Sequence, residues 1–342
     1  MDMMEMNMSL AITNDTSTSD PVPKPVLILH QIISVILTHL IITGNGFCLV
    51  VMRKATHMKM VTKIFFVSLL SSNMYVGLGF GLVQTTLLLF GHLIEDQEIT
   101  YILCSITAGV SFTGTAASVI SLLSINIERY LCIEMPLRAA AFVTRKVAAA
   151  FMIVKWLCML TVAIVYSLMF DSLTYYDDNW KMCFTYSGIL EQSDVTYVLV
   201  FISILIFLPL IVTISIYGRI LVLVRRSTQS HVMSVPAGHN TSKGNHKATF
   251  TLIMVAFTYI ITWIPFGIIV MITILSNDQL YPHLRFLAYL LLLCSHWITV
   301  FVFIKRDATF RRLFKSYSER LICHACCKSI CNHIPCTNLD KT

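Results

Sequence analysis

Hydrophobic runs long enough to cross a bilayer recur seven times along the chain, at about 27–52, 62–90, 102–133, 147–170, 195–224, 248–275 and 284–304. No other property narrows the possible folds as sharply. A hydrocarbon core about 30 Å thick is crossed by roughly 20 apolar residues in a helix. A lone strand would leave its backbone N–H and C=O groups without partners in lipid, so each run is predicted to be helical. The expected fold is an all-α membrane protein, a seven-transmembrane helix bundle over residues 27–305 that follows an N-terminal tail at 1–26. Charged residues make up 13% of the chain, about half the roughly 25% of soluble domains. The first 25 residues lack a basic stretch followed by an apolar one, so the first helix is expected to act as the targeting signal.

Charge orients the bundle. With the N-terminus outside, the segments 1–26, 91–101, 171–194 and 276–285 hold only Lys24, Lys181 and Arg285 among the 25 Lys and Arg of the chain. The positive-inside rule counts Lys and Arg, and it places the other basic residues on the cytoplasmic side. Stretches such as "MRKATHMKMVTK" (52–63) suit an anionic inner leaflet. The formal charge of +7 therefore needs no nucleic-acid partner. Asn7 and Asn14 open N-glycosylation sequons on the same outer side.

Cysteines divide by compartment. Of the 11, only Cys104 and Cys183 fall on the oxidising face, which invites a disulfide between them, with two free thiols as the alternative. At the other end, "RDATFRRLFKSYSERL" (306–321) spaces Phe310, Leu313, Phe314 and Tyr317 along one face of a short amphipathic cytoplasmic helix. A Cys-rich tail follows over 322–342. Cys323, Cys326 and Cys327 read as lipidation sites after such a helix. Zinc binding with His324 or His333 is the alternative, but the spacing fits no common zinc pattern.

The third run ends in "SLLSINIERYLCIEMPLR" (121–138), with Glu128 beside Arg129 and Tyr130 next to them. Charge at a membrane edge is costly and tends to mark function. Five further stretches carry matching features: "GNGFCLV" with Asn45, "KWLC" with Trp156, Pro209 with Tyr217 eight residues on, "TWIPF" with Trp263 and Pro265, and Cys104 twenty-five residues before Arg129. Together they make residues 27–320 resemble a rhodopsin-like (class A) G-protein-coupled receptor. The resemblance implies that Glu128 holds Arg129 at rest and frees it to meet a heterotrimeric G protein. It implies coupling roles for Tyr130, Tyr217 and Lys247, and an activation core of Asn45, Asn73, Ser118, Trp156, Pro209, Trp263 and Pro265. Proline inside a helix removes a hydrogen bond and kinks it, which would let helix six swing.

The chain departs from the family in two places. Asn73 stands in helix two where most relatives have an aspartate, and Ser118 and Ser295 are the oxygens expected near it. In helix seven the Asn-Pro-x-x-Tyr motif would fall on Thr299 to Phe303, and its Asn, Pro and Tyr are absent. Ser111 lies where amine receptors carry an aspartate. Ser111, Thr115, Trp263 and Phe266 are the candidate ligand pocket for an unknown extracellular ligand, expected to be small and non-aminergic. A chemosensory ligand is the alternative, and the acidic outer loops would also attract a basic peptide. Lys155 in helix four is expected to reach the cytoplasmic surface along its flexible stem. A transporter or channel is the reading from another class, but internal repeats and mid-membrane charge pairs are not evident. No metal, cofactor or enzymatic constellation is predicted. The expected location is the plasma membrane.

Overall fold

The computed structural model describes residues 22–54, 59–94, 97–169, 174–177, 180–185, 196, 200, 203–232, 257–258, 260–269, 271–272, 282–306, 311–312, 314–316 and 319. Helix one is Lys24–Lys54, helix three Gln97–Glu134, helix four Arg145–Met169 and helix seven Pro282–Arg306. Helix two runs from Met60 to Phe90 and is α-helical except at Gly77–Gly81, a π-helical turn. Helix five opens with a second π-turn, Ser203–Phe207, and continues as Leu208–Val232. Helix six is described in its apolar stretch Ile260–Ile269. The chain folds as the seven-helix membrane bundle expected from its apolar runs.

Lipid explains which side chains face outward. Ile153, Val154, Leu157, Leu160 and Ile164 of helix four are exposed, as are Ile28, Leu29, Ile32 and Ile36 of helix one. In water these would be misplaced, but a lipid tail is as apolar as they are. The inward faces are smaller and more polar, with Ser68, Ser72, Ala116, Ala117 and Ser121 all buried. Small residues let the backbones of helices two and three approach closely. At Gly114 an added Cβ would lie 2.5 Å from Val76 Cγ2 and 2.8 Å from Tyr75 Cδ1, so only glycine fits there.

Both π-turns have local causes. The sequence of the first, Gly-Leu-Gly-Phe-Gly, supplies little side-chain bulk to enforce α-geometry. The second precedes Pro209, which has no N–H to donate and so loosens the turn before it. Between helices three and four, Pro136 opens a short helix, Pro136–Phe142.

A two-stranded hairpin lies between helices four and five: β1 (Thr174–Asp177) pairs antiparallel with β2 (Met182–Thr185), Tyr176 opposite Cys183. Strands of four residues are too short to give a sequence signal. The described residues after helix seven include Phe314, which packs edge-on against Phe47 at 4.6 Å between ring centroids. Arg311, Arg312 and Lys315 are exposed, and Phe310, Leu313 and Tyr317 of the expected amphipathic face lie outside the described residues.

Candidate functional site

At one end of the bundle Cys104 and Cys183 form a disulfide that fastens β2 to helix three. Gln84 of helix two grips the same residue twice: its Nε2 donates to the Cys183 carbonyl at 2.7 Å, and its Oε1 accepts from the Cys183 N–H at 3.0 Å. A buried glutamine side chain is thereby satisfied by one backbone unit.

At the opposite end, Arg129 Nε lies 3.3 Å from Glu128 Oε2, and Glu128 is buried. Thr62 of helix two joins them, donating to Glu128 Oε1 at 3.0 Å and accepting from Arg129 at 3.4 Å. A buried carboxylate without such partners would carry a large desolvation cost. The same end holds an ion pair the sequence reading missed, Arg219 of helix five with Glu134 of helix three at 3.3 Å. Tyr217, buried on helix five, donates to Asn126 Oδ1 of helix three at 2.8 Å. Asn126 was also missed, because one amide in an apolar run does not show which way it faces. Tyr130 is half-buried beside them.

A neutral cluster lies deeper, between helices one, two, three and seven. Asn45 donates through Nδ2 to the carbonyls of Ile41 and His296. Its Oδ1 must then accept, and Asn73 Nδ2 donates to it at 3.1 Å. Asn73 Oδ1 is left as an acceptor, taking the Ser118 hydroxyl and His296 Nδ1, each at 2.9 Å. An amide oxygen cannot donate, so His296 carries its proton on Nδ1. His296 Nε2 is buried and has no hydrogen-bond partner among the described residues. Ser295, expected here, instead donates to the Leu292 carbonyl on its own helix at 2.7 Å. The residue that reaches Asn73 is its neighbour His296, about 100° further round a helix of 3.6 residues per turn.

The expectation for Lys155 is overturned. It is buried between helices two, three and four, only 5% exposed. Its ammonium donates to Ser68 Oγ at 2.6 Å, Ser121 Oγ at 2.9 Å and the Ala117 carbonyl at 3.3 Å, with Ser72 Oγ at 3.5 Å. Its Nζ also lies 4.4 Å from the centre of the Trp156 ring, a cation–π contact. The physical reason is depth. Ten residues of helix separate Lys155 from Arg145 at the helix start, a rise of about 15 Å, which exceeds the reach of a lysine stem. Trp156 itself is half-buried and meets Tyr75 edge-on at 6.2 Å.

Of the candidate pocket residues, Trp263 is buried and packs edge-on with Phe266 at 5.5 Å. Ser111 and Thr115 lie on helix three, both part-buried, and Thr115 Oγ1 has no hydrogen-bond partner among the described residues. Pro209 is buried, whereas Pro265 sits on the exposed side of helix six. Asn7, Asn14, Lys247, Cys323, Cys326 and Cys327 lie outside the described residues. Among the described residues no group of three or more His, Cys, Asp and Glu could hold a metal ion.

A lipid-facing helical bundle with a disulfide-pinned hairpin at one end and a Glu-Arg pair at the other has the build of a seven-helix membrane receptor. The family described as "7 transmembrane receptor (rhodopsin family)" matches residues 44–302, and the chain belongs to it. It is similar to the histamine H2 receptor of Canis lupus familiaris, 25% identical over 78% of this chain and 73% of that one. Neuropeptide FF receptor 1 of Rattus norvegicus is 22% identical over 94% of this chain and 76% of its own length. Adenosine receptor A2b of Homo sapiens is 23% identical over 88% and 93%. The protein is thus a signalling receptor of the membrane and not an enzyme.

Proposed function

We propose that this receptor sits in the plasma membrane with its N-terminus outside, binds a small non-aminergic ligand near its disulfide end, and activates a heterotrimeric G protein at its Glu128–Arg129 end. The observation that carries this reading is the Thr62–Glu128–Arg129 cluster, a buried carboxylate holding an arginine where helices two and three meet. An arginine held this way is available to an incoming partner once helices separate. Tyr217 and Tyr130 are positioned to join that contact.

The ligand reading rests on missing charge. Between Glu98 and Glu128, between Asp194 and Asp278, and between Asp278 and Asp307 the sequence has no Asp or Glu. Apart from Glu98 in the first turn of helix three, the outer halves of helices three, five, six and seven therefore offer no carboxylate to pair with an ammonium. This sets the chain apart from what the name of its histamine-receptor relatives suggests. A basic peptide is the second reading, favoured by the acidic residues Glu95, Asp96, Glu98, Asp171, Asp177 and Asp178 between and beside helices two to five and by the neuropeptide receptor among the relatives.

The domain boundaries at 26, 305 and 321, glycans on Asn7 and Asn14, and lipid on Cys323, Cys326 and Cys327 belong to the same proposal. So does a role for Lys247: a basic residue at the inner end of helix six would repel Arg129 and favour opening.

The test is guanine-nucleotide exchange on added G proteins by the receptor reconstituted in lipid. Ligand-dependent or basal exchange that Arg129→Gln removes supports the reading, and Lys247→Glu is expected to lower the basal part. Ion current or solute uptake in the same vesicles, with no exchange under a broad ligand screen, would replace it with a transporter or channel.

A further inference from the structure

Helices three and five are joined near their inner ends by polar contacts. Asn126 of helix three is 1% exposed and makes two bonds to helix five. Its Oδ1 accepts from the Tyr217 hydroxyl at 2.8 Å, and its Nδ2 donates to Thr213 Oγ1 at 3.4 Å. Thr213 and Tyr217 are themselves buried and stand one helical turn apart, so one amide grips two successive positions on the facing helix. About two turns further along helix three, Glu134 meets Arg219 of helix five at 3.3 Å. That pair is open to its surroundings, with the Arg219 side chain 68% exposed, and an exposed ion pair holds weakly. The grip therefore lies with Asn126. Lipid tails are as apolar as the helix faces they cover, so interhelical hydrogen bonds help to decide which helices stay together.

The position of this contact gives it a consequence. Asn126 lies three residues before Arg129, on the same side of helix three by helical spacing. Arg129 is engaged by Glu128 and by Thr62 of helix two. Residues 195–277 contain no Asp or Glu, so neither helix five nor helix six can restrain the arginine with a carboxylate of its own. The buried restraint on helix five is neutral and centred on one residue.

We propose that Asn126 is a positioning residue: a latch that holds Tyr217 and the inner half of helix five against helix three in the resting receptor. Each opening of the inner end for a G protein has to break it, so its strength sets how active the receptor is without ligand. That consequence rests on the G-protein reading, whereas the latch rests on the contacts alone.

The test variant is Asn126→Leu, which removes both bonds at nearly constant volume, in full-length receptor in lipid nanodiscs with no ligand added. Guanine-nucleotide exchange on added G proteins, per folded receptor, should rise about fivefold, the population change that corresponds to one net hydrogen bond. Adding Arg129→Gln should remove the rise. Thr213→Val, which breaks only the longer bond, should give a smaller one. Melting temperature separates the latch from a role in folding alone. A latch predicts exchange that rises while the melting temperature falls, and a folding role predicts that both fall. Wild-type exchange that Arg129→Gln removes, but that Asn126→Leu leaves level or lowers, overturns the latch and leaves the G-protein reading standing. If no variant exchanges nucleotide, the G-protein reading fails, and the separation of helices three and five decides the latch. Spin labels on noncanonical residues at exposed Ile133 and Val222 measure it. A longer or broader distance distribution in Asn126→Leu than in wild type supports the latch, and identical distributions overturn it.

Discussion

Two buried polar clusters share helix two, and they are built on opposite principles. The one around Lys155 is built on a basic amine and no acid: serine hydroxyls and a carbonyl surround its nitrogen. The one around Asn73 contains no formal charge and links four helices through amides, a hydroxyl and an imidazole. Ser72 contributes to the first and Asn73, the next residue, to the second. A buried cation cannot lose its acceptors without a large desolvation cost. A neutral amide can exchange one partner for another at the cost of a single hydrogen bond. The comparison teaches that helices two, three and four are fastened as one block, while the contact of helix seven with that block is exchangeable.

The largest effect should come from stripping acceptors while keeping the charge. Ser68→Ala with Ser121→Ala leaves the Lys155 ammonium short of oxygen and should destabilise the receptor by about 3–5 kcal/mol, the range for a buried charge whose partner is removed. Lys155→Met should cost less than about 1 kcal/mol, because the same charge is replaced by an apolar chain of similar length. Ser72 and Ser121 already donate to carbonyls of their own helices at 2.8 and 2.7 Å, so they are not orphaned by that change. Chemical unfolding of the solubilised proteins measures both. If Lys155→Met is the worse of the two, the charge is a support and not a burden, and the comparison fails.

The neutral cluster should respond less. Asn73→Ala removes the partner of Asn45, Ser118 and His296 together and should cost about 2–3 kcal/mol, the penalty for leaving buried polar groups unsatisfied. His296→Phe should cost about 1 kcal/mol, since the Ser118 hydroxyl still satisfies Asn73 Oδ1 and the unpaired Nε2 disappears with the ring. The same unfolding measurement ranks them.

The smallest expected effect is none. The Asn73 cluster offers no carboxylate to offset the dehydration of a sodium ion. Replacing sodium by a large organic cation at constant ionic strength should leave the wild-type melting temperature unmoved. Asn73→Asp should introduce a sodium-dependent rise. A sodium dependence in wild type that matches the Asp variant would show that the neutral cluster binds the ion after all.

The bundle itself was legible because it rests on long averages. Each helix is announced by some twenty apolar residues, and no single position decides it. The Glu128–Arg129 pair was legible for a related reason: charge at the end of such a run has few places to go. Lys155 was misread because a lone lysine inside a run is compatible with two fates, reaching the interface or finding acceptors, and only the serines of two other helices decide between them. His296 was overlooked beside Ser295 because neighbours in sequence face about 100° apart on a helix, and the sequence does not give the rotation of helix seven. The hairpin's fastening to helix two and the inward Trp180 depend on packing between segments 79 or more residues apart, whose fit one sequence does not report.

The π-turn at Gly77–Gly81 sets a phase. A π-turn fits one more residue into the turn than an α-helix does, so the residues beyond it, Leu82–Phe90, sit about 100° from where an unbroken α-helix would carry them. Gln84 lies just past this point, and its two bonds to Cys183 depend on that angular offset. Deleting one residue from 77–81 would keep helix two equally greasy and nearly as long, yet it would turn Gln84 away from the hairpin. The single surplus residue works as a gear tooth: it counts out the rotation that makes the membrane half and the loop half of the receptor mesh.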